Sequence, residues 1–149
     1  MNSQYILIVD DDTYDVELSL RALEGLFDPK ELVVCSDGAE ALDLLLNRGR
    51  FAGKKRIVPT FILADKKMPK MDGFELLDEI RRRDEIKHIP YVLFTSSNYE
   101  KDIEEAYQKG ANAYVVKPIN TDEYFKTVKL SALFWTSANR SVSFNDSVL

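Results

Sequence analysis

A single cysteine, Cys35, leaves the chain without an internal disulfide, and its place at the end of an apolar run fits a small buried thiol in a reducing compartment. Histidine is equally scarce: His88 stands alone in a polar stretch, so a zinc or iron site has no ligand set. Long apolar runs are missing too. The longest, Tyr5 to Val9 and Phe61 to Ala64, fall far short of the roughly 20 residues that cross a bilayer. The N-terminus, Met-Asn-Ser-Gln, has no basic region, long apolar segment or small-residue cleavage site, so no secretory leader is expected and the cytoplasm is the expected location. Six glycines and five prolines are too few for a fibrous or low-complexity chain. Positive charge is also in deficit. With 20 Lys and Arg against 25 Asp and Glu, the net charge of -5 gives no field that gathers nucleic acid.

What is present suits one compact domain. The length of 149 residues, 45% hydrophobic and 11% aromatic, supplies a core for a single unit of ordinary size. Charge is uneven along it. Between Leu44 and Met71, Arg48, Arg50, Lys54, Lys55, Arg56, Lys66, Lys67 and Lys70 stand against the one acid Asp65, a block whose ordinary meaning is a solvated surface.

Gly, Pro, Asn and Asp divide the chain into alternating short apolar runs and longer helical patterns, the signature of βα units. Five strands are expected at Tyr5 to Val9, Glu31 to Cys35, Thr60 to Ala64, Tyr91 to Thr95 and Ala113 to Val116, apolar throughout as strands covered on both faces require. The first helix is expected from Thr13 to about Phe27, with Val16, Leu20, Leu23 and Phe27 inward and Asp28-Pro29 as its stop. Ala39, Leu42, Leu45 and Leu46 mark the second, and Phe74, Leu77 and Ile80 the third. The fourth spans about Tyr99 to Lys109, with Ile103, Ala106 and Tyr107 inward and Gly110 as terminator; the fifth runs from after Asn120 to about Ser137. The fold class is therefore α/β, a doubly wound five-stranded parallel sheet, with residues 4–136 forming the domain and 137–149 a short polar tail.

Such sheets bind ligands beyond the carboxyl ends of their strands. Those ends read Asp10-Asp11-Asp12, Asp65, Thr95-Ser96-Ser97 and Lys117-Pro118. Carboxylates packed together raise one another's pKa unless a cation sits among them. An all-oxygen set favours a hard divalent ion such as Mg2+, which keeps waters for a phosphate to replace. An aspartate beside that ion can attack a phosphoryl group, giving an acyl phosphate whose oxygens need donors; Lys117 and the Thr95 hydroxyl can supply them. Asp12 is read instead as a helix N-cap, alone or with Thr13, and Asp72 as shaping the turn into the third helix.

These residues resemble the receiver domain of two-component response regulators. The motifs are Ile6-Leu7-Ile8-Val9-Asp10-Asp11, Asp65 followed by Met68-Pro69-Lys70-Met71-Asp72-Gly73-Phe74-Glu75, Thr95-Ser96, and Gly110-Ala111-Asn112-Ala113-Tyr114-Val115-Val116-Lys117-Pro118. The resemblance covers about Gln4 to Thr136 and implies a flavodoxin-like receiver fold of strand order 2-1-3-4-5. It implies Asp65 as phosphoacceptor, with Asp10, Asp11, Asp65 and the backbone carbonyl of Lys67 as ligands for Mg2+. Thr95 is then the switch hydroxyl, Lys117 its cationic partner and Tyr114 a switch aromatic, while the Lys117-Pro118 bond is expected cis. The protein would catalyse its own phosphorylation and dephosphorylation. A histidine kinase or histidine phosphotransfer protein would be the phosphoryl donor, and output would pass to a downstream protein, since no output domain follows.

Two features depart from the commonest receiver pattern. Lysines at 66 and 67 follow the acceptor, where a Lys67 ammonium in reach of the phosphoryl site would repel the metal or shield the acyl phosphate. The connection Asn47 to Pro59 is long and basic. With Asp15-Val16-Glu17-Leu18 and the late Phe134-Trp135 pair, it is similar to stand-alone receivers associated with bacterial phytochrome kinases. A haloacid-dehalogenase-type phosphatase is the competing reading, because Asp10-x-Asp12 resembles half of its motif, although Tyr14 occupies the position where that pattern wants a hydroxyl residue such as Thr13.

Two surfaces complete the expectations. Tyr14, Leu18 and Gly25 fall opposite the assumed core face of the first helix and are assigned to partner docking. In the fifth, Tyr124, Phe125, Val128, Ala132 and Trp135 form a core stripe that leaves Leu130, Leu133 and Phe134 outside it. That second apolar face is expected to pair in a homodimer through helices four and five, or to be covered by Phe144, Val148 and Leu149 of the tail.

Overall fold

The structure, a computed structural model, describes residues 4–142. Five parallel strands, β1 (Tyr5–Val9), β2 (Leu32–Cys35), β3 (Pro59–Ala64), β4 (Tyr91–Thr95) and β5 (Ala113–Val116), form one sheet in the order β2-β1-β3-β4-β5. Five helices link and follow them: α1 (Thr13–Leu23), α2 (Gly38–Leu46), α3 (Gly73–Arg81), α4 (Glu100–Gln108) and α5 (Thr121–Leu133). Because successive strand side chains point to opposite faces, Leu7, Val9, Ile62 and Leu93 meet α2, α3 and α4 on one side. Ile6, Ile8, Phe61, Leu63, Val92 and Phe94 meet α1 and α5 on the other. The doubly wound sheet is as expected, and the central strands β1, β3 and β4 are buried throughout apart from half-buried Tyr5 and Thr60.

Departures cluster where turns begin. Pro29–Glu31 is a 3-10 turn capped by Asp28, so β2 starts at Leu32 instead of Glu31. Helix α1 stops at Leu23, four residues early, and the chain turns through Gly25 at φ +81, a backbone region open to glycine. Its phase also differs. Leu18, Ser19, Ala22 and Leu23 are buried, whereas Val16, Leu20 and Phe27 are half-buried. Leu20 and Phe27 pack against the rim of this core and also line an open apolar groove of about 720 Å3 beside the edge strand, with Leu26, Leu32 and Val34. Leu18, assigned to a partner surface, is therefore a core residue only 8% exposed; Tyr14 and Gly25 are exposed as expected.

In α2, Ala41 and Leu44 join Leu42 and Leu45 in the core while Ala39 and Leu46 are half-buried. In α4, Ala106 is buried but Tyr107 faces outward; its hydroxyl instead accepts a hydrogen bond from the Tyr114 amide. Gly110, at φ +102, ends that helix as expected. Helix α5 gives way after Leu133 to a wider turn over Phe134–Ala138. Its core stripe is Tyr124, Val128 and Ala132, flanked by partly buried Phe125 and Trp135, and Leu130, Leu133 and Phe134 are exposed. Phe144, Val148 and Leu149 lie outside the described residues. The basic connection folds back on α2, where Arg48 pairs with Asp43 and Arg50 with Glu40, while Lys54, Lys55 and Arg56 are exposed.

Candidate functional site

The carboxyl ends of β1, β3 and β5 bring the expected residues together. Backbone bonds between neighbouring strands carry past their ends, from the Asp10 amide to the Cys35 carbonyl, the Asp65 amide to the Val9 carbonyl and the Lys117 amide to the Thr95 carbonyl. Each functional side chain is thus fixed by the sheet register. Asp10, Asp11 and Asp65 each offer a carboxylate oxygen, and these atoms lie within 4.8 Å of one another. Asp10 is buried, Asp65 half-buried and Asp11 exposed, so the cluster opens to solvent on the Asp11 side.

Lys117 is the cation among them. Its Nζ donates to Asp10 Oδ2 at 2.8 Å, to Asp15 Oδ2 at 2.8 Å and to Asp65 Oδ2 at 3.2 Å. Burial works against the ammonium, but the hydrogen bonds and charge of Asp10, with Asp15 and Asp65 behind them, hold its pKa above the ordinary lysine value. Burial dominates at Asp10, where it outweighs Lys117 and pushes the carboxyl up to about 6. An all-oxygen trio with one open side fits a hard divalent cation.

Asp15 is the residue that sequence reasoning left out of the site. Asp12, as expected, caps α1 by accepting from the Asp15 amide at 3.0 Å. It is exposed and outside the carboxylate trio, and its amide donates to Asp10 Oδ1 at 2.9 Å. Asp72, expected to shape the turn into the third helix, is the N-cap of α3, in a capping box with Glu75.

The loop after β3 is held closely. The Lys66 amide donates to Asp65 Oδ1 at 2.8 Å, and the Gly73 amide to the Lys66 carbonyl at 2.8 Å. A Cβ at Gly73 would stand 2.1 Å from the Asp65 carbonyl oxygen, which explains glycine there. The buried Tyr91 hydroxyl braces the same turn, donating to the Gly73 carbonyl at 2.6 Å. The Lys66 side chain turns away to Asp102 at 2.9 Å, where it also lies over the Phe74 ring; Lys67 is exposed. Thr95 is buried at the end of β4, and the half-buried Tyr114 donates its hydroxyl to the Ser97 carbonyl at 2.9 Å. The Lys117-Pro118 peptide, expected cis, is trans: no cis bond occurs among the described residues, in keeping with the intrinsic preference of about 0.5 to 1 kcal/mol for trans before proline.

Cys35 is buried at the end of β2, and burial, helped by Glu40, pushes its thiol up to about 12, an inert structural state. Among the described residues no helix is long and apolar enough to cross a membrane.

Comparison with known proteins points the same way. Residues 6–129 match the family described as response regulator receiver domain. Over 136 residues the chain is 34% identical to the probable methanogenesis regulatory protein FilR2 of Methanothrix harundinacea, covering 91% of this chain and 86% of that protein. It is 35% identical over 130 residues to the response regulator Rcp1 of a Synechocystis strain, covering 87% of each. The crystal structure of Rcp1 in its Mn2+-bound form superposes with a TM-score of 0.85 at 32% identity, covering 94% of this chain and 99% of that one. The phosphorylated cyanobacterial phytochrome response regulator RcpA superposes with a TM-score of 0.88 at 35% identity, covering 95% of this chain and all of that one.

Proposed function

The chain belongs to the response regulator receiver domain family, and from that premise we propose that it is a single-domain response regulator whose Asp65 accepts a phosphoryl group in a two-component phosphorelay. The observation that carries the reading is the placement of the Asp65 carboxylate, 3.2 Å from the Lys117 ammonium and grouped with Asp10 and Asp11. A histidine kinase or histidine phosphotransfer protein is the donor. Relatives named as phytochrome response regulators favour a kinase of that class. A carboxylate oxygen of Asp65 forms the new P–O bond as the P–N bond of the donor phosphohistidine breaks, and the imidazole nitrogen leaves with the electron pair.

Asp10, Asp11 and Asp65, with the Lys67 carbonyl, would hold Mg2+, which when bound neutralises charge on the phosphoryl oxygens. Lys117 donates to one of those oxygens, the Thr95 hydroxyl follows another, and Tyr114 responds from β5. The protein catalyses this transfer to itself and the later hydrolysis, in which water takes the phosphoryl group as inorganic phosphate and the Asp65 carboxylate is restored. Residues 4–136 act as the receiver in the cytoplasm, and 137–149 as a tail. Output runs through protein contacts, with no part for nucleic acid or membrane.

Tyr14, 63% exposed near the site, is the proposed contact for the phosphotransfer partner. The exposed face of Leu130, Leu133 and Phe134 is proposed to pair with a second copy beside α4, and sedimentation of the full chain and of one ending at Ser141 tests it: a monomer in both, with and without phosphate, removes the dimer. Incubation with acetyl phosphate and Mg2+ followed by intact-mass measurement tests the main reading. A gain of one phosphoryl group is expected; no gain, or turnover of many phosphomonoesters, would overturn it.

A further inference from the structure

An ammonium has three N–H donors, and in Lys117 each is aimed at a different carboxylate: Asp10 at the end of β1, Asp65 at the end of β3 and Asp15 in the first turn of α1. Two of the three belong to the trio that can converge on a cation, and Asp15 does not. The difference matters once the site is loaded. A divalent ion shares the charge of Asp10 and Asp65 and repels the neighbouring ammonium. Phosphorylation then converts the Asp65 carboxylate into an acyl phosphate, so that the negative charge at this position moves from the carboxylate onto the phosphoryl oxygens. Asp15 is the one carboxylate partner of Lys117 engaged by neither event.

Its backbone is held from two sides. The Asp12 cap accepts from the Asp15 amide at 3.0 Å, and the Tyr124 hydroxyl of α5 donates to the Asp15 carbonyl at 3.2 Å. Tyr124 is itself buried and packed edge-on against Phe94, with ring centroids 5.1 Å apart. The same Phe94 ring lies 5.7 Å from the Lys117 ammonium. The first turn of α1 is therefore locked to the wall along which Lys117 runs.

We propose that Asp15 is a positioning residue, which holds the Lys117 ammonium at the phosphoryl position while the divalent cation and the phosphoryl group draw on Asp10 and Asp65. The inference rests on the phosphoacceptor reading of Asp65. Its test is a double-mutant cycle on the rate of labelling by acetyl phosphate with Mg2+, because residues that act through one another show non-additive effects. Asp15→Asn is expected to slow labelling about tenfold, equivalent to about 1.4 kcal/mol of barrier, and Asp15→Glu to restore most of it. In a Lys117→Ala background the Asp15→Asn change is expected to alter the rate less than about twofold, since its partner is gone. An equal loss in both backgrounds overturns the proposal, because it would assign Asp15 to the metal or the fold. A second readout needs no labelling. In nitrogen-15 spectra of the full chain with Mg2+ alone, the Lys117 ammonium should give a slowly exchanging signal that Asp15→Asn abolishes. A signal unchanged by that substitution, or absent from the wild type, overturns the proposal. Failure of the wild type to take any phosphoryl group would count against the phosphoacceptor reading, and the spectra would still decide on Asp15.

Discussion

Two cations at opposite edges of the sheet, Arg81 and Lys117, satisfy their donors in opposite ways. At the amino edge, Arg81 donates to the Lys87, Ile89 and Gly110 carbonyls at 2.9 Å and to Asn112 Oδ1 at 2.8 Å. All its partners are neutral. Burial lowers its pKa from the ordinary arginine value, yet a guanidinium stays charged regardless. At the carboxyl edge, Lys117 meets three carboxylates. Neutral carbonyls around one cation make a finished joint, here between the end of α3 and the loops entering β4 and β5. Three carboxylates around one ammonium leave an excess of negative charge that a further cation can answer. The same sheet thus carries a structural clamp at one edge and an unfinished electrostatic site at the other.

The sharpest way to test that contrast is to remove each cation. Lys117→Met is expected to cost about 3 kcal/mol at neutral pH, the lower end for breaking a buried pair because Asp15 and Asp65 reach solvent. Mg2+ should recover part of the loss, as read by urea denaturation. Arg81→Met is expected to cost about 2 kcal/mol through carbonyls left short of donors, with no recovery by Mg2+. Equal metal responses in the two variants would erase the distinction.

Acidity probes the same site with a smaller effect. Since folding raises the Asp10 pKa from 3.8 to about 6, the folded state binds the proton more tightly than the unfolded state does. Its contribution is present below about pH 4, declines as pH rises to about 6 and is level beyond. In the absence of divalent cation, the wild type should therefore lose stability relative to Asp10→Asn over that window. A gain over the same window would contradict the assigned shift. Smallest of all is the exposed i,i+4 pair Glu17–Arg21, whose side chains are 59% and 63% exposed. Glu17→Gln is expected to change stability by less than about 0.5 kcal/mol and to vanish in high salt; a loss comparable to that at Lys117 would show that burial is not what separates these pairs.

The strands were legible because β1, β3 and β4, covered on both faces, show as unbroken apolar runs, and Asp10, Asp65 and Lys117 were legible because they stand at strand ends. Helix α1 was not. Val16, Leu20, Leu23 and Phe27 carry a helical period, but Phe27 lies past the helix end and Leu20 serves the groove beside β2. The buried face instead includes Ser19, whose hydroxyl lies 3.4 Å from that of Tyr124. A polar residue on the inner face hides that face from a hydrophobic pattern, and the phase read from the pattern is off by about one residue, or roughly 100°. That single error placed Leu18 outside when it is in the core, and it concealed Asp15, which only the true phase turns toward Lys117. The exit of the fourth helix at Gly110 posed no such difficulty, because a positive φ there needs the residue that the sequence supplies.

The central claim is that Asp65 is the group the carboxyl edge was built to phosphorylate, and one paired measurement tests it most directly. Wild type and Asp65→Asn are incubated with acetyl phosphate and Mg2+, and their intact masses are compared, with urea denaturation confirming that both are folded. The wild type should gain one phosphoryl group and the Asn variant none. An undiminished gain in a folded Asp65→Asn variant would contradict the account.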